Sequence, residues 1–315
     1  MRTVNLNRSS WLRHLAAAAV GPLALGRPAS AQSAVVRIGS SPIEANADPY
    51  YATEMGYFAR NGLTTQVEVL RNGAAVAAAV AGGSLDIGTA SPFVFMNAWR
   101  HGVPFTLIAP GALYQSTEAT TLLVVPAASP IRTAKDLNGK VIGGLTVGAM
   151  DQLSILSWLD QNGGDSTSVK VVEISPNEMV EAMEQGRLAA ALLPDPQLSS
   201  AGNRVRSIGK AYDAISKTFL LSVWYSTIDW ATKNPASVRK FFDAMTQAST
   251  WAAANPEKAA VVLEKWTKVK VPAIRTHSAT KLDAALIQPI CDNAFKYKMI
   301  DAPIDAKAFI WTGRA

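Results

Sequence analysis

Small hydroxyl residues and two carboxylates stand where short apolar runs of this chain give way to turns, positions from which a protein can grip a small molecule or act on it. Ser41 and Glu44 follow the β-rich run Val35 to Gly39. Ser91 follows Leu85-Asp86-Ile87-Gly88, Thr146 and Gly148 follow Val141 to Leu145, and Asp195 sits in Pro194-Asp195-Pro196 after Leu188 to Leu193. Ligands of open α/β sheets lie outside the carboxyl ends of strands, near helix starts whose unpaired N–H groups carry partial positive charge. Three helix starts should face such a crevice: Asp48-Pro49, Ser91-Pro92 and the one after Thr146-Val147-Gly148. The chemistry they offer is capture of an anionic head group without a mobile counter-ion. Ser91 has two readings, a cap alone or a cap that also gives its hydroxyl to a ligand. Thr146 is likewise turn chemistry or a contact.

The acids complicate that picture. A carboxylate at a strand's end repels an anion unless it is paired. Asp195 is either a fold residue or a ligand contact, and Glu44 reads as a solvated loop residue ahead of a contact. If both face the ligand, an amine, hydroxyl or heterocyclic N–H group is implied. Tyr50, in the first turn of its helix, and Trp224, where a late strand should cross a hinge, could form an aromatic wall worth about 0.5–1.5 kcal/mol per stacked pair. Core packing is the other reading of Trp224.

Catalysis finds little apparatus. Beyond the first 31 residues the only histidines are His101 and His277, without metal-ligand spacing, and there is no Gly-x-Ser-x-Gly elbow or phosphate loop. No catalytic residue, metal or cofactor is expected. Cys291 is the single cysteine, which excludes an internal disulfide; its apolar neighbours Leu286, Ile290 and Phe295 point to a buried, inert thiol.

The amino terminus sets the compartment. Arg2, Arg8 and Arg13 precede an apolar run, Leu15 to Gly26, and Ala29-Ser30-Ala31 supplies small residues for cleavage. Twelve residues cannot span about 30 Å of hydrocarbon at about 1.5 Å each, so residues 1–31 read as a cleavable export signal, not an anchor. The mature protein is expected free in the periplasm, without a lipid. The signal holds four of the 30 basic residues and none of the 24 acids, so the net charge falls from +6 to 26 − 24 = +2. The basic balance is therefore no argument for nucleic acid.

Strands and helices alternate along the rest. A helix from Asp48-Pro49 places Tyr51, Met55 and Phe58 on one face and stops at Asn61-Gly62; Leu63 to Leu70 alternates as a half-buried strand. Asn72 caps an alanine-rich helix, Leu85 to Ile87 is a strand, a helix runs from Ser91-Pro92 to His101-Gly102, and Phe105 to Ala109 is a strand. A second series follows with Thr121 to Val125, Val141 to Leu145, a helix striped by Leu153, Leu156 and Leu159, Val169 to Ile174, a helix from Asn177 to Gln185, and Leu188 to Leu193. Phe219 to Trp224 reads as a return strand. Helices capped by Asn234 and Asn255, each before proline, complete the chain, the first with a core stripe Val238, Phe241, Met245, Ala248 and Ala252. Two segments repeat one construction: Val80 to Gly88 exits at Ser91-Pro92, and Met183 to Leu193 exits at Pro194-Asp195-Pro196. Such alternation predicts mainly parallel sheets flanked by helices.

Asp48-Pro49-Tyr50-Tyr51-Ala52-Thr53-Glu54-Met55-Gly56-Tyr57-Phe58-Ala59-Arg60-Asn61-Gly62-Leu63, the Gly82 to Gly88 turn, Asp136-Leu137-Asn138-Gly139-Lys140 and Pro194-Asp195-Pro196 together resemble the periplasmic solute-binding proteins of nitrate, sulfonate and taurine importers, a group that includes the thiamin-pyrimidine precursor proteins. The likeness covers nearly all of residues 34–270. It implies an α/β, two-lobed periplasmic-binding-protein fold of type II, with two strands crossing between a first lobe of 34–119 plus 225–315 and a second of 120–224. It implies capture of a small ligand by hinge closure and delivery to the membrane permease of an ATP-driven importer, which would dock on both lobes; the protein itself is expected to be a monomer. A pyrimidine synthase-type enzyme and a periplasmic ligand sensor are the alternatives. The synthase branch carries a cysteine-rich motif that this chain lacks, and no signalling domain is visible.

Overall fold

Two five-stranded sheets with the same plan carry the chain. The computed structural model describes residues 35–313, so the export signal read at residues 1–31 lies outside the described residues. Strands β1 (Val36–Ser40), β2 (Thr65–Val69), β3 (Ile87–Ala90) and β4 (Phe105–Pro110) alternate with helices α1 (Asp48–Glu54), α2 (Tyr57–Arg60), α3 (Gly73–Ala81) and α4 (Pro92–Arg100). After β5 (Ala112–Gln115), strands β6 (Thr121–Pro126), β7 (Val141–Gly144), β8 (Lys170–Glu173), β9 (Ala190–Pro194) and β10 (Val205–Gly209) alternate with α5 (Met150–Gln161), α6 (Pro176–Glu184) and α7 (Gln197–Ala201). The chain returns through β11 (Thr218–Leu220) and β12 (Val223–Thr227), then runs through α8 (Ile228–Lys233), α9 (Pro235–Ala254), α10 (Pro256–Thr267), β13 (His277–Ser278) and α11 (Gln288–Lys296).

The first sheet has the order β2-β1-β3-β12-β4 and the second, read from β8, the order β8-β7-β9-β6-β10. In each, one strand runs against the rest: β12 is antiparallel to both β3 and β4, and β6 is antiparallel to both β9 and β10. These two are the strands that the chain enters after crossing over, β6 from β5 and β12 from β11. A small third sheet, β11-β5-β13, ties the crossings together. The repeated construction seen in the sequence is thus α3-β3 and α6-β9, the same strand position in each sheet.

Burial follows sheet position. β3, β4 and β9 are buried at every residue, as strands covered on both faces must be, whereas edge strand β2 keeps only half-buried Thr65 and Val67 on its inner side. The α9 stripe from Val238 to Ala252 packs against Tyr51, Phe58 and Trp224. A larger core contains residues of both sheets, among them Leu107, Tyr225, Leu123 and Ile142, with Ile290 and Cys291 of α11. The described residues accordingly fall in one compact unit.

Several local expectations need correcting. The helix from Asp48 is interrupted at Gly56, whose φ of +71° takes the left-handed conformation that glycine adopts without strain. Asp48 does not cap it; its carboxylate accepts from Ser278 Oγ at 2.7 Å. The return strand breaks at Ser222, whose hydroxyl accepts from Ala112 N and donates to Ala45 O, so that β11 pairs with β5 and β12 with β3 and β4. Asn234 and Asn255 make no side-chain cap to the helices that follow; each donates back to a carbonyl four residues earlier, of Trp230 or Trp251. The third strand begins later than Leu85, because Asp86 turns its carboxylate onto Arg37.

Candidate functional site

Strand ends from both sheets open onto one cavity. Ser41 follows β1, Ala90 ends β3, Leu145 and Thr146 follow β7 and Pro194 ends β9, and all line it. Four helix starts border the same space: Asn72 and Gly73 of α3, Ser91 of α4, Ala149 and Met150 of α5, and Pro176 of α6. Gly73 is packed so closely on Ala90 that a Cβ there would lie 2.9 Å from the Ala90 methyl, which lets α3 approach the strand end. The cavity is narrow, about 60 Å³.

Its walls are apolar, with Ile43, Val94, Met150 and Leu221 between small polar groups. Arg71 is the only cation among the lining residues and Asp151 the only acid. Asp151 is buried in the first turn of α5; its oxygens accept from Leu145 N at 2.8 Å and Tyr212 Oη at 2.8 Å. Burial raises its pKa against these hydrogen bonds. Four helix starts of partial positive charge, two of them without a side-chain cap, one exposed guanidinium and one shielded carboxyl suit an acidic ligand head with an apolar body.

The eight candidate positions distribute unevenly. Ser41, Ser91 and Thr146 line the cavity together. Ser41 accepts from Asn46 Nδ2 at 2.7 Å, and Ser91 caps α4 through a bond from Val94 N at 3.4 Å. Gly148, with φ +72°, shapes the turn before α5 and is exposed; its N–H donates to Gln152 Oε1 at 2.7 Å. Tyr50 lies in the core stacked on Trp266 at 4.8 Å, its hydroxyl donating to the Ser41 carbonyl. Trp224 lies in the same core, edge-on to Phe241 at 5.5 Å.

Glu44 and Asp195 form a separate knot between the two halves. Glu44 is buried, not solvated: its carboxylate accepts the backbone N–H groups of Arg275 and Thr276. Its own N–H donates to the Asp195 carbonyl at 2.9 Å. The Asp195 side chain, fully buried, accepts from Ser199 N and Oγ on one oxygen and from the Arg275 guanidinium on the other, with Nε at 3.0 Å. Burial first, and then the nearby Asp195 charge, push the Glu44 carboxyl above the usual carboxylate range. The pairing that an acid near an anion site requires is supplied by Arg275, 80 residues from Asp195.

Cys291 is buried, and burial pushes its thiol up to about 12, as an inert core residue requires. Among the described residues no group of three His, Cys, Asp or Glu side chains could hold a metal ion.

Two mainly parallel sheets flanked by helices, with their strand ends on one cavity, make a periplasmic-binding-protein fold. The family model described as NMT1/THI5 like matches residues 46–259, and the chain belongs to that family. A putative binding protein of Brucella abortus is 22% identical over 240 residues, covering 72% of this chain and 69% of the relative. A putative aliphatic sulfonates-binding protein of Escherichia coli K12 is 24% identical over 245 residues, 73% of each. The alkanesulfonate-binding protein SsuA of Xanthomonas axonopodis pv. citri, solved with MOPS, superposes with a TM-score of 0.75 at 18% identity over 90% of this chain and 99% of that one. The periplasmic nitrate-binding protein NrtA of Synechocystis PCC 6803 superposes with 0.72 at 15% identity, over 88% and 85%. These likenesses show the fold, and the relatives support a solute-binding role.

Proposed function

We propose that this chain is the free periplasmic solute-binding component of an ATP-driven importer, and that it closes two lobes, 34–119 with 225–315 and 120–224, around a small organic acid and hands it to a membrane permease. The observation that carries the reading is the ring of four helix starts, two from each half, around one cavity at the strand ends. Neither half alone surrounds a ligand there, so closure is favoured by whatever contacts the second half adds. Ser41, Ser91 and Thr146 are the side chains we assign to the ligand; the relatives that bind sulfonates or nitrate support an oxyanion head. An enzymatic role has no cluster of nucleophile and base at the cavity to support it. X-ray scattering of the purified protein with and without ethanesulfonate, butanesulfonate or nitrate tests the proposal. The radius of gyration should fall with a ligand that also raises the melting temperature; a tight ligand that leaves it unchanged overturns closure.

A further inference from the structure

The cavity suits an anion, yet its wall carries a buried acid. Asp151 lines it from the first turn of α5, only 6% exposed. Its Oδ2 accepts from Leu145 N and its Oδ1 from Tyr212 Oη, each at 2.8 Å, and both bonds favour the ionised form. The lining cation does not offset that charge: the Arg71 side chain is 70% exposed and pairs with Glu173 at 3.1 Å. Other titratable groups around α5 are engaged or turned away. Tyr212 packs edge-on to Tyr114 at 5.4 Å, whose hydroxyl donates to Asp213 at 2.7 Å, and Lys217 pairs with Asp213. α4 brings Arg100, paired with Asp301; α11 brings buried Cys291 with exposed Asp292 and Lys296; the turn Ala134–Leu137 brings exposed Lys135 and Asp136, and Asp160 on α5 itself is exposed. Of these groups only Arg71 and Tyr212 share the cavity with Asp151.

An anion in a cavity of about 60 Å³ cannot sit far from that wall, and like charges repel strongly where water is excluded. A proton removes the conflict, because it leaves on the same side chain an O–H donor in place of a negative charge. We propose that the cavity takes up an anion and a proton together: Asp151 Oδ1 binds one proton from solvent as the ligand enters and donates it in a hydrogen bond to a ligand oxygen. Oδ1 is the oxygen for this role, since the Leu145 N–H holds Oδ2. Burial already keeps the carboxyl above its ordinary range, so protonation needs a milder pH than an exposed aspartate would. The inference rests on the proposed binding function and adds to it a residue that selects heads with an acceptor oxygen.

Calorimetry of the mature protein with ethanesulfonate and with nitrate, repeated in phosphate and in Tris buffer, counts the protons. Both anions stay ionised over about pH 5 to 8, so every proton taken up belongs to the protein. Uptake should approach one proton per ligand, and affinity should fall about tenfold per pH unit as pH rises between the free and the bound pKa of Asp151. Asp151→Asn is neutral, has the same shape and keeps an oxygen for Leu145 N. It should bind without uptake, and at about pH 8 should bind about tenfold or more tighter than the parent. Tyr212→Phe removes one bond from the ionised carboxylate, should move the loss of affinity to higher pH, and guards against a folding defect in the first variant. Binding without proton uptake, or an uptake that survives in Asp151→Asn and so belongs to another carboxyl such as Glu44, overturns the inference and leaves the binding function standing. Neither anion bound at any pH in that range overturns both.

Discussion

The two sheets share a strand order but finish their third strands differently. After β3 comes Ser91, uncharged, lining the cavity and capping α4; at the matching place after β9 comes Asp195, charged, turned from the cavity and gripped by Arg275. The helices differ in the same way. α3 and α4, in the first half, have their starts closed by their own side chains, Asn72 to Ala75 N at 2.9 Å and Ser91 to Val94 N. α5 and α6, in the second half, follow Ala149 and Ser175, neither of which makes a side-chain cap. An uncapped start leaves N–H groups for something else. Duplicate topology thus differs in its finish: the first half has side-chain-capped helix starts, the second has uncapped starts and the acid that ties the halves together through Arg275.

Removing Arg275 should break the comparison hardest. Arg275→Met leaves the Asp195 carboxylate buried with only its Ser199 donors, and losing one partner of a buried pair costs about 3–5 kcal/mol, of which the half-exposed guanidinium argues for the lower end. Urea unfolding should register the loss, and the double variant with Asp195→Asn should recover most of it. A loss below about 1 kcal/mol would make the knot a surface pair and erase the distinction between the two third strands.

A second helix start in the first half sharpens the point. α1 was expected at the crevice, but Asp48 looks into a separate small void beside Ser278. Burial raises its pKa from 3.8 to about 6. A carboxyl whose folded pKa is raised binds its proton more tightly in the native state, so stability from this group grows as pH falls from about 6 toward 3.8 and is lost as pH rises through that window. The gap corresponds to up to about 3 kcal/mol. Asp48→Asn, which keeps an acceptor for Ser278, should be more stable than the parent at pH 7 and should lose that advantage near pH 4. Equal pH profiles for parent and variant would mean that burial does not hold the Asp48 proton.

The alternation of strands and helices, and the glycine exits at Gly62 and Gly186, could be read from the sequence because burial and turn conformation are local demands: one sets a period, the other a residue type. The shared cavity position of Ser41, Ser91 and Thr146 was legible for the same reason, each standing within two residues of a strand's end. What escaped was set by distance. β5 and β13, four and two residues long, exist only by pairing with each other and β11. Arg275 reaches Asp195 and Glu44 across 80 and 231 positions, with no periodic trace at either end. Asp151 and Tyr212 meet across 61 residues, and only the fold brings Tyr212 to the turn of Thr146. Asn234 and Asn255 misled because an asparagine before proline serves equally to end one helix and to begin the next.

The finest test contrasts Ser91 with Thr146 directly. Both hydroxyls are assigned to the ligand, but only Ser91 also caps a helix, so only Ser91→Ala should cost stability as well as affinity. Ser91→Ala removes a cap whose bond from Val94 N is long, 3.4 Å, so its cost in stability should be at most about 1 kcal/mol, read from the urea midpoint. Thr146→Ala removes no cap and should leave the midpoint in place, but if its hydroxyl meets the ligand, affinity should fall about tenfold, or about 1.4 kcal/mol. Parallel losses in both assays for both variants would mean that the two halves finish their helix starts alike, and that the contrast drawn from Asn72, Ser91, Ala149 and Ser175 is wrong.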